Sequence, residues 1–442
     1  MKSKAYDNFI TRNRLIPLGE LENSPFKPEG LVPTPLINEI KAAGLNPDDF
    51  YFNPDSKELP YCYYRGMLLL DIEAIPSQLA ELKTLMARLE QDLVESVAQR
   101  DFARFLALID PRLAPDLFME VFNFIPDQDK YPLFERIWRF NEDSHTVFTE
   151  AFIKKISKYK GVTSTKPVAD EKGYVRVYRS QDHGGASPRQ ASAWTTDVNI
   201  AIVHALPLKP VLGIYRGLIH LDHIIAYDST KSKKELTVRP LKVEQLELMD
   251  LINLREYGAV LQTSGILEQY NEYTRKIEVE WFHNPAGIHA LSHTKRVLLL
   301  SLLISYLEKY SAKDRALLGL AAVYHDIGRT NDGYDPDHGL ASYAKLTREH
   351  LIGPADPQER EILKFLIQNH AIPDQSAYKK LSHYNLNDVD RTLRLYDAFK
   401  DADGLDRVRI NDLNPEYLRT NSAQRLLLAA HQLYRQQVVY DL

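Results

Sequence analysis

The chain has 442 residues, with 55 basic against 60 acidic side chains and a net charge of -5. That length exceeds one ordinary core and predicts two or three domains. The near-balanced charge excludes a general electrostatic pull toward nucleic acid or an anionic membrane. A single cysteine, Cys62, excludes an intrachain disulfide and points to a reducing, cytoplasmic setting.

Residues 1 to about 75 are rich in Pro, Asn and Asp, lack the apolar core of a secretory signal, and predict an irregular arm; export without a cleaved signal stays open. From Pro76 the texture turns helical, with Leu79, Leu82, Leu85, Leu89 and Leu93 spaced by three or four residues, and it continues through Phe118–Phe124 and Phe134–Lys158. Residues 1–160 therefore read as an arm plus a helical scaffold region. A polar linker is expected over Gly161–Gly173. Short β-branched runs at 175–178, 211–215, 223–227 and 236–239 then predict a mixed α/β domain over 170–255.

The remainder, 270–442, predicts an all-α domain, which makes the whole a multidomain α+β protein. Asn284 and Pro285 suit an N-cap and a first helical residue, and helices are expected at 285–310, 312–328, 336–350, 356–370 and 387–409. The longest apolar stretch, Val297–Leu307, is broken by Ser301, Ser305 and Tyr306 and falls short of the roughly 20 residues of a spanning helix, so a buried helix is expected.

Six metal-seeking side chains fall at the ends of these helices: His293, His325 with Asp326, His338, His370 and Asp403. Any one of these histidines alone reads as a packed or surface residue. As a set, imidazole nitrogen mixed with carboxylate oxygen suits Mn, Fe, Co, Ni or Zn. A divalent cation lowers the pKa of bound water and polarises a phosphoryl oxygen, so the composition of the set points to hydrolysis. His289, four residues before His293, would share its helix face, and its role reads either as a hydrogen-bond donor behind a ligand or, by preference, as helix packing. Arg296, Asp374, Lys400 and Arg407 are further candidates for a cleft, though their spacing does not require it.

The segments GIHALSHTKRV, YHDIGR, DHGLAS, NHAIPD and KDADGLDRVR, in this order over about residues 280–435, resemble the motifs of the HD-domain metal-dependent phosphohydrolase superfamily. The resemblance implies that His293, His325, Asp326 and Asp403 are the core ligands, Asp403 being preferred to Asp401. It also implies that His338 and His370 belong to members holding two ions, that Asp326 bridges the ions or orients the nucleophile, and that Arg329 grips phosphate. A planar guanidinium suits that last task.

Upstream, VYRSQDHGGASPRQASAWTTDVNIAIVHA followed by KSKKELTVRP resembles the R-S-E class of ADP-ribosyltransferase folds. By that resemblance Arg179 would contact NAD, Ser192 and Thr195 would orient the site beside Ala193 and Trp194, and Glu235 would stabilise the oxocarbenium-like ribose. Ala193 stands where relatives often read Ser, and Lys233 where many have a first Glu. An unusual acceptor, NAD hydrolysis and an inactive fold all remain open. The Tyr63-Tyr64-Arg65-Gly66 segment looks superficially similar but is given no role.

The expected function is thus phosphohydrolysis of a nucleotide or other phosphoester, with NAD a candidate ligand of the middle domain. The fusion suggests a bacterial effector, toxin or defence protein. The rivals are an ADP-ribosyltransferase acting on a protein target with a regulatory or product-processing HD domain, and a non-enzymatic nucleotide sensor.

Overall fold

The computed structural model describes residues 9–28, 31–54, 56, 60–73, 76–140, 147–161, 166–181, 187–208, 213–230, 234–351 and 353–435. The protein is mixed α and β, with two antiparallel sheets among many helices. Parts of the expected linker and strand, 162–165 and 211–212, lie outside the described residues, as does Lys233.

Two compact units emerge from the packing: residues 1–168 with 220–230 and 235–242, and residues 169–219 with 231–234 and 243–442. A separate body over 170–255 is not one of them.

In the first unit, β1 (Ile16–Pro17), β2 (Phe50–Phe52), β3 (Tyr61–Arg65) and β4 (Leu68–Ile72) form an antiparallel sheet in chain order. The expected irregular arm is corrected here. Its Pro, Asn and Asp residues punctuate turns between short strands, and the rings of Phe50, Tyr63 and Tyr64 are buried. Helices α1 (Pro33–Ala42), α2 (Pro76–Ala98), α3 (Phe102–Leu108), α4 (Ala114–Val121), α5 (Asp127–Phe140) and α6 (Glu150–Ile156) complete this part of the chain. Leu79, Leu82 and Leu93 of α2 are buried, as their spacing predicts, while Leu85 is exposed. Phe118 meets Phe134, Phe148 and Phe152 with ring centroids 6.0–6.5 Å apart in a second aromatic layer.

The strand-rich stretch holds β5 (Tyr174–Ser180), β6 (Ala193–Thr195), α7 (Val198–Ala205), β7 (Ile214–His220), β8 (Ile224–Asp228), β9 (Glu235–Val238) and β10 (Glu244–Leu248). Strands β10, β7, β5 and β6 lie side by side in that order, and β8 pairs with β9 through Asp228↔Glu235 and Tyr227↔Leu236. Strand β10 was not anticipated: it is a largely exposed edge, so its side chains carry no inside–outside alternation.

The second unit continues as helices: α8 (Gly258–Thr263), α9 (Ile266–Thr274), α10 (Leu291–Leu307), α11 (Ala312–Tyr324), α12 (His338–Arg348), α13 (Pro357–Asn369), α14 (Asp374–Lys379), α15 (Val389–Leu405), α16 (Asn421–Arg425) and α17 (Leu427–Arg435). Val297–Ser305 of α10 is buried on all sides, as expected of the apolar run. No helix among the described residues is long and apolar enough to cross a membrane.

Helix α10 starts later than Asn284-Pro285 suggested. Residues 284–290 instead form turns, with Gly287 N donating to Asn284 O at 2.8 Å and Asn284 Nδ2 to Asp332 Oδ2 at 3.0 Å. An Asn side chain engaged across the fold cannot cap its own helix.

Two glycines set how closely the ligand-bearing helices approach. A Cβ on Gly328 would lie 2.1 Å from Ser342 N, and one on Gly339 would lie 2.4 Å from Ile367 O. Only a residue without a side chain lets these backbones meet.

Candidate metal centre

Each of the six expected ligands sits at or near a helix end. His293 lies in the first turn of α10, His325 caps α11 with Asp326 next, His338 opens α12, His370 caps α13, and Asp403 lies in the last turn of α15. Helix ends can aim side chains at a common point while the helix bodies pack into one core. His293, His325, Asp326, His338 and His370 are all at most 5% exposed; Asp403 is more open, at 28%.

The imidazoles face one another in two pairs. His293 Nε2 is 3.0 Å from His325 Nε2, and His338 Nε2 is 2.8 Å from His370 Nε2. Their outer nitrogens are all engaged by acceptors. His325 Nδ1 meets Ala322 O at 2.9 Å, His370 Nδ1 meets Ile367 O at 2.7 Å, His338 Nδ1 meets Asp335 O, and His293 Nδ1 meets Asp406 Oδ2 at 2.7 Å.

An acceptor at Nδ1 requires the proton there, which leaves each Nε2 as a lone pair directed at the centre. Facing lone pairs at such distances demand a shared positive charge, either a proton or a metal ion. Burial pushes the His325 imidazole down to about 3, so it is neutral and free to act as a ligand.

Asp326 joins the two pairs. Its Oδ2 lies 3.5 Å from His293 Nε2 and 3.6 Å from His325 Nε2, while its Oδ1 lies 2.9 Å from His338 Nε2 and 3.7 Å from His370 Nε2. Burial would raise this carboxyl, but the surrounding imidazoles hold it well below its ordinary range. For His338 burial acts to lower the pKa, yet its contact with Asp326 leaves it raised. Asp403 Oδ1 is 3.4 Å from His293 Nε2, and its carboxyl too is held low against burial by His293, His325 and His370. Donor atoms of His293, His325 and Asp403, and of His325, Asp326 and His370, lie within 4.8 Å of one another. The buried cluster could hold a metal ion.

Asp401 takes a different position. Its carboxylate accepts from Arg419 N and Thr420 N at 2.7–2.9 Å and from the Arg419 guanidinium at 3.1 Å.

The sequence reading missed Asp406. This carboxylate, 1% exposed, takes the outer proton of His293 and is clamped by Arg296, whose Nε and Nη2 lie 2.5 and 3.0 Å away. Arg296 therefore braces Asp406 behind His293 and is not part of the cleft lining. The available signal was a third Asp in KDADGLDRVR, one helical turn beyond Asp403. His289, expected on the helix, instead lies in the preceding turn, with Nδ1 3.3 Å from Asp326 Oδ2 and 3.2 Å from Arg409. It lines the cleft, which corrects the packing role.

The cleft over the cluster has a volume of about 830 Å³ and is lined by Arg329, Lys400, Arg407, Arg409 and Arg419 together with Asp326, Asp332, Asp335, Asp403 and Asp412. Arg329 Nε donates to Asp326 Oδ1 at 3.0 Å and Nη1 to Gly333 O at 3.1 Å. Lys400 is held by Asp374 at 2.7 Å. Tyr334 and Tyr417, 92% and 73% exposed, are also part of the lining.

The residues singled out upstream are arranged more openly. Strands β5 and β6 pair through Tyr178↔Thr195, and Arg179 Nη1 donates to Ala193 O at 2.6 Å. Arg179 and Thr195 thus share one strand pair, and Ser192 immediately precedes β6. The Thr195 hydroxyl donates to Lys234 O at 3.1 Å. Glu235 is an exposed residue at the start of β9, which belongs to the first unit.

Scans of protein-family models and searches of curated proteins and solved structures found no match to the chain.

Proposed function

We propose that the helical part of the second unit is an HD-type metal-dependent phosphohydrolase acting on a nucleotide or another phosphoester, with two divalent ions shared across Asp326. The observation that carries this reading is the facing of two imidazole pairs, each turned inward by an acceptor on its outer nitrogen, with one oxygen of Asp326 toward each pair. Nitrogen and oxygen donors without thiolate fit Mn, Fe, Co, Ni or Zn. When bound, such an ion supplies Lewis acidity toward water and the phosphoryl group.

The chain's own residues account for the rest. His293, His325 and Asp403 would hold one ion, and His338 with His370 the other. Asp406 and Arg296 fix the orientation of His293, the outer hydrogen bond that makes an imidazole a better ligand. Arg329 reaches the cleft beside Asp326 and would grip the phosphoryl oxygens, joined by Lys400 and Arg409. Tyr334 and Tyr417 offer rings against which a nucleobase could stack. Elemental analysis of the purified chain, followed by a phosphoester panel with and without a base, tests the proposal. A metal-free protein that cannot be loaded, or a loaded one that cleaves nothing, would overturn it.

A second activity is favoured by one observation, the seating of Arg179 against the β6 backbone within an antiparallel pair. In this reading Arg179, Ser192 and Thr195 bind NAD. Incubation with labelled NAD should label the chain or a target protein and Arg179→Ala should stop it; labelling equal in both proteins removes the assignment.

A further inference from the structure

Helix α15 presents Lys400 and Asp403 to the metal cleft and, one to three turns earlier, Arg394 and Asp397 to a different cavity of about 760 Å³. This second cavity contains no residue of the metal cluster, and its lining carries more cations than acids. Lys309, Arg394, Arg419 and Arg425 face it together with the polar side chains of Thr420 and Asn421.

The charges there are unevenly neutralised. Arg391 at the rim is fully engaged, with both terminal nitrogens on Glu359 at 2.9 and 3.0 Å and its Nε on Asp314 at 2.6 Å. Arg425 meets the exposed Asp250. Lys309 and Arg394 are exposed, and among the described residues neither side chain meets a carboxylate. Of the acids in the lining, Asp314 belongs to Arg391, and Glu308 accepts a hydrogen bond from the Ser422 hydroxyl. Burial raises the Asp397 carboxyl, which lessens its opposition to an incoming anion.

We propose that this cavity binds a compact dianion, a phosphate or the phosphate group of a small metabolite, and that Arg419 transmits its presence to the metal cleft. Arg419 lines both spaces. Its guanidinium now rests on Asp374, at 2.9 Å through both Nε and Nη2, and on Asp401 at 3.1 Å. Asp374 also holds Lys400, at 2.7 Å.

An anion in the cavity draws Arg419 toward itself and away from Asp374. Asp374 then keeps Lys400 as its main cationic partner and binds it more tightly. Both movements remove positive charge from the cleft, so the ligand acts as an inhibitor that weakens substrate binding. Binding to the cavity is independent of the hydrolase reading, whereas the effect on the cleft rests on it.

Equilibrium dialysis of the full chain against labelled inorganic phosphate tests the binding. Wild type should show a class of site that K309Q/R394Q weakens by about tenfold or more, since two charge-assisted contacts are lost. Asp326→Ala, which acts on the metal cluster, should leave that class intact. Identical isotherms for wild type and K309Q/R394Q would overturn the proposal, as would loss of all phosphate binding in a folded Asp326→Ala protein. Should the double variant melt early, Arg394→Gln alone decides between the same outcomes. With any phosphoester that the wild type cleaves, phosphate should raise KM several-fold more in wild type than in K309Q/R394Q. An equal rise would remove the link through Arg419, and absence of any cleavage would count against the hydrolase reading while leaving the dialysis result standing.

Discussion

Around His325 every imidazole is held from behind by a carbonyl or a buried carboxylate, and its free nitrogen has nowhere to point except the centre. Around Arg179 the situation is reversed. The side chain reaches a backbone carbonyl on a neighbouring strand, with Thr195 on that strand and Ser192 just before it. The first arrangement turns largely buried donor atoms toward one point, while the second seats one side chain against a neighbouring backbone carbonyl. Donors already converged in this way could take a small ion without rearrangement, whereas an open strand pair would need a ligand to order it.

Four changes would test that contrast. The largest effect is expected from Asp326→Ala, which removes the one carboxylate shared by both histidine pairs. Metal content should fall to background, together with any phosphoester hydrolysis, and elemental analysis reads it directly. If Asp326→Ala retains full metal content, the joined-pair arrangement is wrong.

Next is Asp406→Asn, which spares every ligand but weakens the anchor behind His293. Metal affinity should drop by about 10–100-fold, measured by competition with a chelating dye. An unchanged affinity would show that the anchored nitrogen is irrelevant to loading.

The third concerns pH. His431 is buried beside Asn199 Oδ1 at 3.0 Å, and burial lowers its pKa from 6.5 to about 4. The unfolded chain therefore takes up a proton at higher pH than the folded one. Stability from this group is complete above about pH 6.5 and is lost as pH falls toward 4, by roughly 3 kcal/mol in all. Replacing His431 with Gln should flatten denaturation midpoints over that window; an identical slope in both proteins refutes the assignment.

The smallest effect is expected from Arg179→Ala. It should cost about 1 kcal/mol of stability for one hydrogen bond and leave the metal content untouched. A loss of metal in this variant would erase the distinction between the two regions.

Legibility from sequence follows the same divide. The convergence of the six His and Asp side chains was readable because each falls at or near a helix end, where caps, apolar periodicity and His or Asp coincide. Asp406 was not, because its role depends on Arg296, 110 positions away. The N-terminal sheet was missed because strands of two to five residues are too short for alternation to stand out among prolines and asparagines.

The limits of the middle segment were likewise invisible. Val198, Ala201, Ile202 and Ala205 of α7 join the same apolar core as α10 and α15, and Asn199 bonds both Leu413 O and His431. Nothing local in VNIAIVHA announces a partner more than two hundred residues later.

The contact of Gly339 with the Ile367 carbonyl has a consequence for ion stoichiometry. His338 is the residue before Gly339, and Ile367 O also receives the outer nitrogen of His370, so one missing methyl group sets the gauge between these two imidazoles. A methyl placed there would have to move from 2.4 Å to an ordinary carbon–oxygen separation, a shift of about 1 Å. His293 and His325 sit on other helices and would keep their spacing. If the proposed pair of ions is held, a Gly339→Ala chain should lose the one at His338 and His370 first, read by elemental analysis as a fall from two metals per chain to one; unchanged stoichiometry would show that this backbone contact does not set the spacing.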